Sequence, residues 1–213
     1  MERGIFVALE GIEGAGKSTQ VALLDRWLSE RGIPHRVVRE PGGSPVAEEI
    51  RRLVLEGGEV GARAELLLIL AARAAVVEEV IRPALEAGQV VIADRFHLST
   101  LAYQGYGRGL PLDEIRRMNE FATGGVRPDL TLVLEVPVAE GEARRVRAGR
   151  GLDRIERAGS AFHARVARAY ALLAEEETGV ERVDGSGPAE RVHEEILRRL
   201  RARFPETFAL VQG

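Results

Sequence analysis

The sequence contains no cysteine and almost no lysine. Without cysteine, its 213 residues cannot form disulfide bonds or cysteine-based zinc sites. Of the 30 basic side chains, only Lys17 is a lysine, and the other 29 are arginines. An ammonium on a flexible stem and a broad guanidinium are not interchangeable. We therefore interpret Lys17 as the position of a function that arginine cannot perform.

Long apolar runs and an excess of basic charge are also missing. No apolar stretch reaches the roughly 18 residues that span a bilayer, and the first residues do not have the pattern of a secretory signal. A net charge of −3 does not favour nucleic acid as a partner. With 45% apolar and 30% charged residues, the composition is typical of a soluble globular protein. We expect one cytoplasmic domain over residues 1–213, with no nucleic-acid or membrane partner.

Short β-type runs alternate with segments of helical periodicity. Strands are predicted at 5–10, 35–39, 89–93, 130–136 and 180–183. Helices are predicted at 21–31, 46–55, 65–86, 112–121, 140–147, 155–177 and 189–203, with Pro83 bending or ending the third near its last turn. This alternation predicts an α/β three-layer sandwich, in which helices cover both faces of a five-stranded parallel sheet.

Residues 11–18, GIEGAGKS, fit the phosphate-loop pattern G-x-x-x-x-G-K-[ST] between a strand and a helix. Glycines let backbone N–H groups turn towards an anion, and the helix adds the positive end of its dipole. Lys17 reaches the β- and γ-phosphates, and the Ser18 hydroxyl is a ligand for Mg²⁺. The pattern predicts a P-loop NTPase fold. The predicted ATP-binding residues are Gly11, Gly14, Ala15, Gly16, Lys17, Ser18 and Thr19.

The single lysine limits which P-loop protein this is. A GTPase that reads guanine with Asn-Lys-x-Asp needs a second lysine, and so does a partition-type ATPase with an extra loop lysine. An arginine- and glycine-rich segment at about 144–154 is typical of a lid over phosphates. The combination favours a kinase that acts on a small acceptor already carrying a phosphate.

Polar motifs follow two of the predicted strands, where the ligand crevice of such a sheet lies. REPGG occupies 39–43, and DRF occupies 94–96. Asp94 can hold Mg²⁺ through water, and Arg95 can bind a phosphate with two parallel hydrogen bonds. Arg73 lies on an apolar helix face, where it needs an anionic or carbonyl partner unless it reaches solvent. A plain turn and a strand-capping ion pair are the structural alternatives for the two motifs.

Six motifs carry a resemblance to a known family: EGIEGAGKST, REPGG, AARxxxVxxVIxPAL, DRFxxSTLAYQG, RPDLTLVLEV and GLDRIE. Through them the chain resembles the thymidylate kinases, in their bacterial form, over nearly its whole length. These enzymes use ATP and Mg²⁺ to phosphorylate dTMP to dTDP. The resemblance implies a homodimer and a cis peptide at Glu40–Pro41. The dTMP-binding residues it implies are Glu13, Arg39, Pro41, Arg51, Ile69, Arg73, Arg95, Ser99, Tyr103 and Gln104.

The resemblance assigns roles within that set. Arg95 binds the dTMP phosphate with help from Arg39 and Arg51, and Arg73 hydrogen-bonds the thymine. Glu13 accepts a hydrogen bond from the 3′-hydroxyl, while the Tyr103 ring favours deoxyribose. Two positions depart from the family: Ile69 replaces an aromatic ring that stacks on the base, and Phe96 replaces Tyr or His.

Phosphoryl transfer between two anions requires cations more than a general base. The predicted catalytic residues are Lys17, Arg95, Asp94, Arg150 and Arg147, with Ser18 and Asp94 at the metal. The arginines at 144, 145 and 154 are further lid candidates, and Asp153 is expected to order the lid by pairing with one of them. The loop 184–188 is expected near the adenine. The alternatives are a kinase of relaxed specificity for dUMP and dTMP, a kinase for another nucleoside monophosphate or a deoxynucleoside, and a nucleotide-gated switch protein.

Overall fold

The computed structural model describes residues 3–147, 149 and 153–209. Five strands form one parallel sheet in the order β2-β3-β1-β4-β5, as the sequence predicts. Their bounds are β1 Phe6–Glu10, β2 His35–Arg39, β3 Val90–Asp94, β4 Leu130–Glu135 and β5 Val180–Asp184. The predicted strand positions are therefore confirmed to within one residue at each end.

Ten α-helical segments connect or extend these strands within the described ranges. The first five are α1 Lys17–Glu30, α2 Pro45–Glu56, α3 Ala62–Val76, α4 Arg82–Glu86 and α5 His97–Thr100. The others are α6 Leu112–Thr123, α7 Val138–Arg147, α8 Ser160–Glu176, α9 Ala189–Arg203 and α10 Pro205–Phe208. Two π-helical segments, Val77–Ile81 and Leu101–Gly107, and a short 3₁₀ turn, Glu156–Ala158, complete the set.

Apolar side chains cover both faces of the sheet. Along β1, Val7 and Leu9 pack with α1 and α9, whereas Phe6 and Ala8 point to the opposite side and pack with the helix that contains Val77. Burial on both faces is what a parallel sheet requires, and it explains why the strands read as nearly continuous apolar runs. A third apolar cluster joins α3, α6 and α8 beside β4.

Pro83 was predicted to bend or end its helix near the last turn, and the helix ends three residues after it, at Glu86. Proline has no N–H to donate, but the preceding turn is π-helical, with the Arg82 N–H bonded to the Val77 carbonyl. Pro83 then occupies the first turn of α4, and the helix continues to Glu86. A helical stretch from His97 to Gly107, which the sequence did not predict, follows β3 directly.

The carboxyl ends of adjacent strands bring the predicted site residues together. Asp94 on β3 is level with Leu9 on β1 and with Arg39 on β2. Glu10 ends β1 immediately before the phosphate loop. In the described part of the chain, no helix combines the length and the apolar character needed to cross a membrane.

Candidate active site

The phosphate loop joins β1 to α1 and packs tightly against the start of α7. Gly14 has φ of 76°, and a Cβ built there would lie 2.1 Å from the Gly141 carbonyl oxygen. Only glycine fits this position, because the conformation is left-handed and the neighbouring backbone leaves no room. The loop and the helix that carries the lid arginines are therefore in direct backbone contact.

Lys17 lies inside this loop and is almost fully buried. Its Nζ donates to the carbonyl oxygens of Gly11 at 3.1 Å and Ile12 at 2.8 Å. Burial, with a smaller contribution from the Arg95 charge, lowers the pKa of Lys17 to about 8. The carbonyl groups hold the ammonium group, and its lowered pKa makes its charge depend on pH just above neutrality.

A cavity of about 490 Å³ opens over the loop and α1. Arg144, Arg145 and Arg147 from α7 form one side, and Gly185 and Gly187 after β5 form another. Residues from Glu13 to Gln20 form its base, and they include every predicted ATP-binding residue except Gly11. We refer to this space as the donor cavity.

Ser18, which lines the donor cavity, contacts Asp94 at the end of β3. The Ser18 hydroxyl donates to Oδ2 of Asp94 at 2.6 Å. Hydroxyl and carboxylate oxygens suit Mg²⁺, which keeps several waters and takes further oxygens from phosphates. The described residues contain no cluster of three or more acidic, histidine or cysteine side chains that could form a cage of protein ligands. The pair fits an ion held jointly with a nucleotide.

A second cavity, of about 420 Å³, lies on the other side of the loop. All ten residues predicted to bind dTMP line it. It shares three wall residues, Glu13, Lys17 and Ser18, with the donor cavity. We refer to it as the acceptor cavity, and the shared wall is where the contents of the two cavities would meet.

Arg95 lies at this junction in a strained conformation. Its φ of 74° makes it the one non-glycine residue with a left-handed backbone among the described residues. Its guanidinium donates to the Gly11 carbonyl oxygen at 3.1 Å, to Glu13 at 3.0 Å and to the Tyr103 hydroxyl at 3.2 Å. Strain of this kind persists where surrounding contacts impose it, and it is frequent at functional sites.

Glu10 holds the turn that follows Arg95, and the sequence did not single it out. This fully buried carboxylate accepts hydrogen bonds from the Phe96 and Ser99 N–H groups at 2.8 and 3.1 Å. It also accepts from the hydroxyls of Ser99 at 2.6 Å and Tyr170 at 2.9 Å. Both hydroxyls in turn accept from Nη1 of Arg95 at 3.2 Å. Glu10 therefore fixes the groups that fix Arg95.

Tyr170 comes from α8, far along the chain from the strand ends. Burial raises the pKa of its hydroxyl well above the ordinary value, and the Glu10 charge acts in the same direction. The hydroxyl therefore stays protonated and donates to Glu10. No local motif could have revealed this residue, because its partners lie 75 and 160 positions away.

Arg39 and Arg51 line the outer part of the acceptor cavity. Arg39 pairs with Glu48 at 3.1 Å, and Arg51 donates to the Pro41 carbonyl oxygen at 2.7 Å. The Glu40–Pro41 peptide is cis, as the resemblance predicts. Burial and the nearby Arg39 charge lower the pKa of Arg51. Two guanidinium groups whose charges repel each other favour the binding of an anion between them.

Arg73 is almost fully buried at the inner end of the acceptor cavity, and all five of its N–H groups are engaged. Nε and Nη2 donate to Oε2 of Glu40, and Nη2 also reaches the Phe96 carbonyl oxygen at 3.0 Å. Nη1 donates to Thr100 and Asn119. The expected anionic and carbonyl partners are thus confirmed. A contact between Arg73 and a base would have to share or displace one of these bonds.

The remaining lining residues form the walls around the inner space. Ile69, 8% exposed, presents an aliphatic surface at the position where the family usually has an aromatic ring. Tyr103 lies beside Arg95, whose guanidinium carbon is 5.0 Å from the ring centre. Thr100 also lines the cavity and was missed by the sequence interpretation.

The lid arginines separate into two groups. Arg144 donates to the Gly185 carbonyl oxygen at 3.1 Å and pairs with Glu140, so it belongs to the donor side with Arg147. Arg154 instead donates to the Val54 carbonyl oxygen at 2.8 Å, on the acceptor side. Arg150 lies outside the described residues, and its predicted role stays a prediction.

Comparisons with known proteins agree with this geometry. The thymidylate kinase family matches residues 9–196. A thymidylate kinase of Halothermothrix orenii is 46% identical over 202 residues, which are 93% of this chain and 97% of the relative. One from Desulfovibrio desulfuricans is 50% identical over 199 residues, covering 88% and 91% of the two chains.

A solved structure gives the same result for the fold. The crystal structure of thymidylate kinase from Ehrlichia chaffeensis superposes with a TM-score of 0.77 at 29% identity. The match covers 93% of this chain and 99% of the other. With the phosphate loop, the two adjoining cavities and the strand-end arginines in place, the chain belongs to the thymidylate kinase family.

Proposed function

We propose that this protein transfers the γ-phosphoryl group of ATP to the 5′-phosphate of dTMP, forming dTDP. The observation that carries the proposal is the shared wall of the two cavities, formed by Glu13, Lys17 and Ser18. A donor cavity that contains a phosphate loop adjoins an acceptor cavity lined with arginines. This arrangement suits in-line transfer between two phosphates, where positioning and charge neutralisation supply most of the catalysis.

The acceptor phosphate is assigned to Arg95, with Arg39 and Arg51 on its outer side. Arg95 is held by backbone and hydroxyl groups, which position its guanidinium before an anion arrives. A phosphate at this position would compete with Glu13 for Nη2 of Arg95, and Glu13 would then be available for the sugar 3′-hydroxyl. The Tyr103 ring next to Arg95 is the surface that favours deoxyribose.

The donor phosphates are assigned to the loop and Lys17. When they bind, Nζ of Lys17 exchanges its two carbonyl contacts for phosphate oxygens. Ser18 and Asp94 would hold Mg²⁺, which neutralises phosphate charge when bound. Arg147 and Arg150 are the cations we assign to charge that develops during transfer.

The protein is proposed to act as a homodimer. Helix α3 is apolar around most of its circumference, and such a helix is normally covered on all sides. Yet Leu67 on α3 is 59% exposed, with Leu53 on neighbouring α2 at 56% and Phe121 on α6 at 91%. Large exposed apolar side chains on adjoining helices mark an association surface. A second copy of α3 offers the same apolar surface to cover it.

A monophosphate kinase that accepts both dUMP and dTMP remains the second candidate. Ile69 favours it, because an aliphatic wall lacks the stacking of about 1–3 kcal/mol that an aromatic ring gives a base. Relative rates with Mg-ATP and each nucleoside monophosphate distinguish the two functions. A strong preference for dTMP supports the first, and equal efficiency with dUMP supports the second.

A further inference from the structure

Glu65 is a fully buried carboxylate that the proposed reaction does not use. It lies on α3, behind the wall of the acceptor cavity rather than in it. Three side chains from two other segments converge on it: Gln104 and Arg108 from the helix after β3, and Arg154 from the segment after α7. A buried acid with this many partners requires a reason beyond burial, because desolvating a charge is costly.

The arginines fix the Glu65 carboxylate in one plane. Arg108 grips it with two parallel hydrogen bonds, Nε to Oε1 at 3.1 Å and Nη2 to Oε2 at 3.0 Å. Nη2 of Arg154 lies 2.8 Å from Oε2. Burial alone would raise the pKa of Glu65, but the hydrogen bonds from Arg108 and Gln104 outweigh it and lower the pKa. Glu65 is therefore ionised, and both of its oxygens accept only.

An acceptor-only partner determines which way the Gln104 amide faces. Nε2 of Gln104 donates to Oε1 of Glu65 at 2.9 Å. The flipped amide would place its oxygen against a carboxylate oxygen, which repels it. Gln104 lines the acceptor cavity, and no hydrogen bond among the described residues ends on its carboxamide oxygen. The oxygen is therefore the polar atom that this side chain keeps for a ligand.

An oxygen presented by Gln104 accepts from a base that carries a ring N–H. Thymine and uracil have an N–H at ring position 3, whereas cytosine has an unprotonated nitrogen there and can only accept. We propose that Glu65 is a specificity-determining positioning residue, which selects acceptor bases with a ring N–H by fixing the orientation of the Gln104 amide. The inference rests on the proposed function, since it assigns the base to this cavity.

The test replaces Glu65 with its neutral isostere. In Glu65→Gln the new amide can donate as well as accept, so Gln104 can adopt either orientation. We expect kcat/KM for dTMP to fall about tenfold, as for the loss of one well-oriented hydrogen bond. The ratio of kcat/KM for dTMP to that for dCMP should fall by about tenfold or more, with the KM for ATP unchanged.

Glu195→Gln is the matched control. Glu195 on α9 also pairs with two arginines, Arg198 and Arg199, but it does not line either cavity. Its replacement removes the same number of ion pairs and should leave the dTMP to dCMP ratio as it is. If Glu65 only braces the fold, Glu65→Gln lowers the melting temperature without changing that ratio, and the inference is overturned.

Gln104→Met shows whether Glu65 acts through the amide. Gln104→Met alone should lose most of the preference for dTMP over dCMP. Adding Glu65→Gln to it should reduce the dTMP to dCMP ratio no further. If Glu65→Gln does not fold, Gln104→Met still decides, because retained discrimination in it overturns the inference. If the wild-type protein phosphorylates dTMP and Glu65→Gln leaves the dTMP to dCMP ratio unchanged, only the inference is overturned. If the wild-type protein phosphorylates no monophosphate, the proposed function is overturned as well.

Discussion

Nη2 of Arg95 and Oε2 of Glu13 form an ion pair at 3.0 Å, where the donor and acceptor cavities meet. An acid in a phosphate loop is unexpected, because like charges repel. Here its charge is balanced by the arginine assigned to the acceptor phosphate. Glu13 and Lys17 both lie in the wall that the two cavities share, and we assign Glu13 to the acceptor and Lys17 to the donor.

Glu13→Gln should weaken the binding of acceptors that carry a 3′-hydroxyl. A hydrogen bond to a charged group contributes about 1.5–3 kcal/mol, so KM for dTMP should rise by about tenfold to hundredfold. The 3′-deoxy analogue lacks the donor, and its KM should change much less. Steady-state kinetics with both acceptors check this. An equal rise in KM for dTMP and for its 3′-deoxy analogue would show that Glu13 acts only through Arg95.

Tyr170→Phe should loosen Arg95 without touching the donor cavity. The variant removes the hydroxyl that donates to Glu10 and accepts from Arg95. We expect a stability loss of about 1–2 kcal/mol and a rise of a few-fold in the KM for dTMP, with the KM for ATP unchanged. Denaturant unfolding and steady-state kinetics measure these effects.

Tyr106→Phe is the control for that variant. Tyr106 packs in the same apolar cluster, but its hydroxyl makes no hydrogen bond to the described residues. It should leave both KM values and the stability close to those of the wild type. The positioning role of Tyr170 would be contradicted if both variants lost the same stability. It would also be contradicted if Tyr170→Phe raised the KM for ATP as much as the KM for dTMP.

ATP binding should weaken as the pH rises through the pKa of Lys17, which burial lowers to about 8. The cationic fraction of Lys17 declines above that value, while nucleotide phosphates, with a pKa of about 6, are already ionised. Between about pH 7 and about pH 9, Kd for ATP should increase about tenfold, measured by calorimetry. Lys17→Arg stays cationic, so it should bind weakly at both values, because guanidinium is too broad for the loop. A wild-type Kd independent of pH would contradict this role.

The proposed dimer surface can be tested through Leu67. Leu67→Glu places a charge in the middle of the apolar surface and should convert the protein to monomers in sedimentation or light-scattering measurements. Val146→Glu changes an exposed apolar residue outside α2, α3 and α6, and it should leave the oligomeric state unchanged. A wild-type protein that is already monomeric would contradict the proposal.

Periodicity and one motif predicted most of the fold. The five strands and the phosphate loop follow from local patterns, since a buried parallel strand is a short apolar run wherever it occurs. The helix after β3 was missed although Leu98, Leu101 and Ala102 have helical spacing, because its sequence, HLSTLAYQGYG, is short and contains two glycines, which disfavour a helix. Local patterns did not show the π-helical turn before Pro83, which places the proline in the first turn of α4.

The residues that support the site were beyond sequence reasoning. Arg95 and Asp94 end a strand and were readily noticed, but Glu10, Glu65 and Tyr170 act through side chains distant in sequence. Their contribution depends on which helices pack together, and single-sequence patterns do not show that. Arg154 was grouped with the lid for the same reason, whereas it pairs with Glu65 behind the acceptor cavity.

The measurement that tests the central claim most directly is a coupled assay of ADP release from Mg-ATP. It uses dTMP, dUMP, UMP, dCMP, AMP and GMP as separate acceptors. The adjoining cavities and the arginines around the acceptor space predict turnover with dTMP, at a kcat/KM above that of every other acceptor. No turnover with any acceptor, or a preference for a purine monophosphate, would contradict the account.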